Sequence, residues 1–314
     1  MMKVARDLGS LDIGQRNTAV TVGVFDGFHV GHQLVVENLL RLKRSEERTA
    51  SILLTFDRHP LSVTHPEAMP PLLTTLEEKL SLLEMTGIDT CLVLPFSAET
   101  AATGYRAFIR DVLTERLGMS HLVVGYDFHL GSGREGSQQR LVDEGKRSDF
   151  EVTIVPPVVL SGRVVSSTKI RNAIACRKLR VARRFLGRDY FFDAEVVRGK
   201  GIGKELGFPT ANLNVSDADK QLPPAGVYAV RVDHGSEHLG GMMNIGTAPT
   251  IHEGGDMRIE VHLFGHEGEL YGERLRIHCV RTIREEKRFS GPDELKTRLL
   301  QDREKVSSIL EKND

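Results

Sequence analysis

The first half of this chain alternates short, continuous apolar blocks with segments whose apolar residues recur every three or four positions. Residues 19–25, 51–56, 90–95, 121–125 and 151–155 are runs of strand length rich in Val, Ile and Leu, the pattern of strands buried on both faces. Between them, residues 33–47 set Leu34, Leu39, Leu40 and Leu42 among polar side chains. Residues 75–85 follow Thr74 and Thr75 with Glu77 and Glu78, spaced for capping boxes, and residues 105–117 keep a helical spacing. Such alternation predicts a Rossmann-like α/β domain whose parallel sheet is covered on both sides.

The texture changes near residue 187. Period-two runs at 194–197, 210–215, 226–232, 259–264 and 274–280, bounded by Gly, Pro, Asn and Asp, predict a small antiparallel β-barrel. A last helix over residues 292–310 places Leu295, Leu299, Val306 and Leu310 on one side, a stripe expected to pack on the barrel. The expected domains are residues 1–186 and 187–314.

Composition narrows the partners. A chain of 314 residues accommodates two cores, and a formal net charge of −1 argues against a bulk nucleic-acid or anionic-membrane binder. The N-terminal residues carry charges without an apolar leader core, and no apolar run approaches membrane-spanning length. The expectation is a soluble, cytoplasmic protein without a membrane partner; the sequence leaves its oligomeric state open. Cys91, Cys176 and Cys279 lie far apart without a C-x-x-C pair and read as incidental thiols. The 12 histidines include no H-E-x-x-H, so any metal is expected to arrive with a nucleotide.

The densest chemistry is Gly23-Val-Phe-Asp-Gly-Phe-His-Val-Gly-His32, between the first strand and first helix. His29 and His32 can approach a polyphosphate together, Gly31 lets the backbone come close, and the helix N-terminus offers N–H groups and partial positive charge. With 12 His and 30 Gly in 314 residues, H-x-G-H arises by chance in roughly one such chain in 25, so its position carries the weight.

Gly131, Gly133 and Gly136 form a G-x-G-x-x-G, but a dinucleotide fingerprint belongs at the first βα turn, which the histidines already occupy. This loop is read instead as a mobile cover or wall for a flat ligand. In Ser166-Ser-Thr-Lys-Ile-Arg171, Ser167 and Thr168 can cap a helix while Arg171 lies one turn on, all suited to phosphate.

In the barrel half, the stretch from Gly199 through Gly201 and Gly203 to Thr210 and Asn212 lacks P-loop order but can lay amides on phosphates. The Thr210 hydroxyl and Asn212 carbonyl are hard oxygen donors suited to nucleotide-bound Mg²⁺. Glu260 alternates with Ile259 and Val261 along a strand, either as a solvated carboxylate or, if its face lines a nucleotide site, as a proton acceptor.

These blocks resemble, in order, the bifunctional prokaryotic FAD synthetases, which join riboflavin kinase to FMN adenylyltransferase. The likeness runs from G-x-F-D-G-x-H-x-G-H through S-S-T-x-I-R and G-F-P-T-A-N to Asn244-Ile-Gly-x-x-Pro-Thr250 and the Glu260–Gly272 block. It implies an H-x-G-H nucleotidyltransferase domain that adenylylates FMN to FAD with ATP, and a barrel that phosphorylates riboflavin to FMN. By motif match, His29 and His32 would stabilise charge on the ATP phosphates. Gly23, Phe25, Asp26 and Gly31, with Ser167, Thr168 and Arg171, would bind nucleotide, the last three holding departing pyrophosphate. Asp127 and His59 would face the flavin. In the kinase, Gly199, Gly201 and Gly203 would approach nucleotide, Thr210 and Asn212 would hold ATP–Mg²⁺, and Glu260 would be the base.

The chain departs from many relatives at Val24, at Arg58, and at His129-Leu130-Gly131, all near the expected flavin side. Two rivals remain: another H-x-G-H nucleotidyltransferase fused to an unrelated barrel, which the barrel motifs oppose, and a flavin- or RNA-binding protein without activity. RNA binding would want clustered basic residues with exposed aromatics, and the chain has no Trp and 5 Tyr.

Overall fold

The computed structural model describes residues 1–11, 17–45, 49–199, 207–247, 257–287 and 289–312. By compactness the chain divides into Met1–Ser167 and Thr168–Asp314.

The first unit runs β1 (Lys3–Ala5), β2 (Thr18–Val22), α1 (Val30–Ser45), β3 (Ala50–Phe56), α2 (Leu61–Thr64), α3 (Leu76–Glu84), β4 (Thr90–Leu94) and α4 (Ala98–Ala102). It continues with α5 (Tyr105–Ala107), a π-helical stretch Phe108–Thr114, β5 (Met119–Gly125), α6 (Gln138–Ser148), β6 (Glu151–Val155) and the hairpin of β7 (Val159–Leu160) and β8 (Arg163–Val164). Its six-stranded sheet has the order β1-β4-β3-β2-β5-β6, and every pairing is parallel. Alternation along the strands sends Val20, Val22, Ile52, Leu54, Leu122 and Val124 to one face, where they cluster with Phe108, Ile109 and Leu113. On the other face α1 packs against β2, β3 and β5.

One feature of this order positions the site. The chain leaves β2 toward β3 on one side and later returns to β5 on the other. Carboxyl ends of strands at such a reversal flank a crevice, the usual ligand position in open α/β sheets.

The second unit contains α7 (Ser167–Ala175, shared across the division), α8 (Leu179–Leu186), and β9 (Tyr190–Val197), β10 (Ala211–Asn214), β11 (Gly226–His234), β12 (Glu237–Thr247), β13 (Met257–Leu263) and β14 (Arg274–Glu285), followed by α9 (Pro292–Glu311). The strands close into a barrel in the order β10-β13-β12-β11-β14-β9. Phe192, Tyr228, Val230, Met243, Ile259, Val261 and Ile277 are buried at alternate positions and fill it.

Outside the barrel, α9 covers Val227, Ala229 and Met242 with Val306, Ile309 and Leu310, as its apolar stripe predicts. Leu310→Ala should cost about 2 kcal/mol, the low end for a buried leucine because it lies in the last helical turn. Urea unfolding followed by circular dichroism measures it.

By compactness α8 counts with the barrel, because it packs on β9 and β14, whereas the texture change lies near 187. Strand β12 carries no clear signal because Gly240 and Gly241 interrupt it. A Cβ at Gly241 would stand 2.9 Å from the His262 carbonyl, and one at Gly240 would stand 2.9 Å from Leu310 Cδ1. These glycines serve close packing inside a strand, where a turn would be the ordinary reading.

Candidate functional site

The histidine turn sits at the carboxyl end of β2, beside the reversal. His29 immediately precedes α1, and its Nδ1 accepts the His32 backbone N–H at 3.3 Å. In the neutral ring that bond leaves the proton on Nε2, a donor. The two imidazoles stack with centroids 3.6 Å apart and planes 14° from parallel. Phe25 meets the His32 ring edge-on at 5.3 Å.

Glycine has a different part here from the one its motif suggests. A Cβ at Gly31 would lie 3.1 Å from His29 Cε1, and one at Gly23 would lie 3.1 Å from the Phe25 ring. Both glycines seat aromatic rings that build the site. Phe25 and Phe28 have positive φ values of 52° and 35°, uncommon for bulky residues and sustained only by strong local constraint.

That constraint is visible. Asp26 is buried, and its carboxylate accepts the Leu73 and Thr74 backbone N–H groups at 2.9 and 3.0 Å. The Gly27 N–H donates to Thr74 Oγ1 at 3.0 Å. Asp26 thus directs its side chain to the loop before α3, while its carbonyl accepts from Ser167 Oγ at 2.9 Å. Of the two capping boxes expected, Thr75 and Glu78 form one, and Thr74 faces the turn instead.

Ser167 is therefore the member of the S-S-T-x-I-R block set against the histidine turn within one unit. Thr168 and Arg171 follow on α7 in the second unit. Asp127 is exposed just beyond β5, the other strand of the reversal. His59 lies beyond β3, with its Nδ1 accepting the Leu61 N–H at 3.2 Å.

The glycine-rich loop after β5 is held by hydrogen bonds within it and to α5. Leu130 and Gly136 exchange backbone hydrogen bonds at 3.1 and 2.8 Å, and Glu135 accepts the Tyr105 N–H at 3.0 Å. A Cβ at Gly131 would collide with the Tyr105 backbone. The loop is a wall.

In the second unit, register assembles the other site. Glu260 on β13 pairs with Asn212 on β10 and with Asn244 on β12, so the three side chains form a row on the outer face. A cavity of about 270 Å³ opens there, with Thr210, Asn244, Glu260, Arg284 and Glu286 among its lining residues. His262, the next outward residue on β13, donates from Nδ1 to the Pro209 carbonyl at 2.8 Å, tying the G-F-P-T-A-N segment to the Glu260 strand. Arg258 Nη1 lies 4.0 Å from Glu260 Oε1.

Sequence reasoning singled out Thr210, Asn212 and Glu260 but passed over Asn244, Arg284 and Glu286 as site residues. Arg284 is aligned by Asp302 of α9, whose Oδ2 accepts from Nε at 2.7 Å. The signal available was Asn244 opening its own motif block. Gly199 packs so closely on the Asn212 amide that any Cβ would collide with it. Gly201 and Gly203 lie outside the described residues.

Burial raises Cys91 to about 11 and Cys279 to about 12, leaving both protonated at neutral pH, while Cys176 is exposed. Among the described residues no group of three His, Cys, Asp or Glu side chains could hold a metal ion. The oxygen donors of Thr210 and Asn212 nevertheless suit a Mg²⁺ that shares its ligands with nucleotide phosphates. No described helix is long and apolar enough to cross a membrane.

A parallel sheet with an H-x-G-H turn at its reversal point, followed by a closed antiparallel barrel with a carboxylate-lined cavity, defines a two-part nucleotide-handling protein of the nucleotidyltransferase-plus-barrel class. Residues 12–169 match the FAD synthetase family and residues 186–310 the riboflavin kinase family. The chain is 36% identical over 304 residues, 96% of each chain, to the bifunctional riboflavin kinase/FMN adenylyltransferase of Escherichia coli (strain K12). It is 35% identical over 296 residues, 94% of each, to the protein of that name from Pseudomonas fluorescens. A solved structure described as a macrolide-efflux protein from Streptococcus pneumoniae superposes with a TM-score of 0.86 at 28% identity, covering 98% of each chain. The chain belongs to the bifunctional riboflavin kinase/FMN adenylyltransferase family.

Proposed function

We propose that the chain makes both flavin cofactors. Its barrel phosphorylates riboflavin to FMN with ATP, and its α/β domain adenylylates FMN to FAD, releasing pyrophosphate. The domain assignment is residues 1–186 for adenylyl transfer and 187–314 for the kinase. The observation that carries the reading is the coexistence in one chain of the stacked His29–His32 pair at the sheet reversal and the Asn212–Glu260–Asn244 row on the barrel.

In adenylyl transfer an FMN phosphate oxygen attacks the α-phosphorus of ATP and the bond to the β-phosphate oxygen breaks. Both reactions are phosphoryl-type displacements that need alignment and charge neutralisation. His29 and His32 are the donors for the charge that develops on the phosphates, helped by the N-terminus of α1. Ser167, with Thr168 and Arg171 assigned by motif, holds pyrophosphate. Gly23, Phe25, Asp26 and Gly31 shape the nucleotide side of this turn. Asp127 and His59, beyond the ends of β5 and β3 on either side of β2, are assigned to the flavin.

In riboflavin phosphorylation Glu260 takes the proton of the ribityl hydroxyl as that oxygen attacks the γ-phosphorus of ATP. Thr210 and Asn212 would hold Mg²⁺, which when bound supplies positive charge against the phosphates. Gly199, Gly201 and Gly203 belong to the segment proposed to approach the nucleotide. Gly199→Ala should displace the Asn212 amide and lower riboflavin phosphorylation about 10²-fold. FAD synthesis from supplied FMN should be unchanged, a split that steady-state assays of both activities detect. The enzyme is proposed to be cytoplasmic, with riboflavin, FMN and ATP as partners and neither nucleic acid nor a membrane.

The test is to incubate purified protein with riboflavin, ATP and Mg²⁺ and separate the flavins over time. FMN appearing before FAD supports the reading; FMN without FAD removes the adenylyltransferase.

A further inference from the structure

We infer that Lys79, on α3, is a positioning residue for adenylyl transfer: its buried ammonium holds the Val24 carbonyl and thereby the left-handed Phe25 turn on which His32 rests. The inference depends on the proposed assignment of that turn to FAD formation.

Lys79 is 6% exposed, an unusual place for an amine that is strongly hydrated in water. Its Nζ donates to Val24 O at 3.0 Å and to Thr55 Oγ1, at the end of β3, at 2.9 Å. Thr55 Oγ1 is itself 3.4 Å from Val24 O. Val24 immediately precedes Phe25, whose φ is +52° and whose ring edge meets His32. On the other side of Phe25, the Asp26 carboxylate is pinned by the loop leading into the same helix. Thus α3 and its leading loop grip both ends of the turn, Lys79 at Val24 and Leu73–Thr74 at Asp26 and Gly27. A left-handed phenylalanine is unfavourable on its own and persists where its neighbours overdetermine it. Lys79 is one of those neighbours, and it acts through Val24, Phe25 and His32 without touching substrate.

The groups facing the ammonium make its charge testable. Burial lowers Lys79 from 10.5 to about 8, opposed by the nearby charges of Asp26 and Asp57, while the Cys91 thiol on β4 is still protonated at that pH. The charged, three-donor form is therefore lost as pH rises through about 8, whereas the unfolded lysine keeps its proton to about 10.5. Between these values the unfolded state binds the extra proton, so this group's contribution to stability increases with pH. Activity and stability should move in opposite directions over that window, which a purely structural lysine would not produce.

The experiment uses full-length wild type, K79M and T55V, each assayed for FMN formation from riboflavin and for FAD formation from FMN, with melting temperatures across pH 7–10. Wild type lacking FAD formation would overturn the functional assignment itself. With that activity present, K79M should lose about 10- to 100-fold in FAD-forming kcat, as small misplacements at a reacting centre do. Its KM for FMN should change less, and its riboflavin phosphorylation should stay within about twofold. The wild-type FAD rate should fall above about pH 8 without a matching fall in melting temperature. In T55V, which removes an acceptor of the charged form, that decline should begin at lower pH. A K79M enzyme with wild-type FAD kcat overturns the inference. If K79M does not fold, a wild-type FAD rate without the alkaline decline, or a T55V profile that does not move, overturns it equally.

Discussion

Alanine at His29 or His32 will lower the FAD-forming rate by roughly 10²–10³-fold, equivalent to about 2.7–4 kcal/mol of barrier, the usual loss for one well-placed donor to developing charge. FMN formation from riboflavin will remain within about twofold of wild type in the same preparation. The two positions should nonetheless differ in character. His29 has Nδ1 committed to the His32 N–H, so its removal also frees the first turn of α1. His32 is held by ring contacts with His29 and Phe25. Glutamine at position 29 should recover part of the rate by supplying a side-chain N–H, whereas phenylalanine at position 32 should preserve packing and recover none. Paired assays of FAD formation from FMN and FMN formation from riboflavin measure all of this. Equal loss of both activities in either alanine variant would refute the division of labour between the two halves.

Glu260→Gln will do the reverse. A general base contributes about 10²–10⁴ in rate, and the amide keeps the shape and register of the row while removing the proton acceptor. Riboflavin phosphorylation should fall by that factor, and FAD formation from supplied FMN should be untouched. Glu260→Asp is informative beside it: the carboxylate stays but retreats by one methylene, so a partial loss marks proton transfer, and a full loss marks a strict distance requirement. An E260Q enzyme with undiminished kinase activity would return Glu260 to the solvated strand carboxylate that its alternation alone suggests.

The alternation of apolar runs made most of the parallel sheet legible, because strands buried on both faces cannot hide their composition. The last helix was legible for a related reason: its stripe had only the barrel wall to cover. What escaped had local causes. Strand β12 is interrupted by glycines whose purpose is clearance from His262 and Leu310, and glycine in sequence reads as a break. Strand β1, only Lys3–Ala5, is too short to show periodicity. The π-helical turn at Phe108–Thr114 has no composition of its own.

At the sites, residue types were easier to read than roles. Asp26 stands out in the motif, yet its carboxylate faces Leu73 and Thr74, partners 47 and 48 positions away that no local pattern relates to it. Phe25 carries a left-handed backbone that sequence assigns to Gly, Asn or Asp. Asn244 reaches Glu260 only through strand pairing, and Arg284 acquires its aim from Asp302 on α9.

The in-register row of Asn212, Glu260 and Asn244 has a consequence for how this half can change over time. Because successive residues of a pleated strand face opposite ways, the kinase face is written in a reading frame of two. A single-residue insertion inside β13 ahead of Glu260 would turn the carboxylate into the barrel and bring an aliphatic chain out in its place. An insertion of two would restore parity while shifting the row by a step. Length changes should therefore accumulate in the connections between these strands and be nearly absent within them.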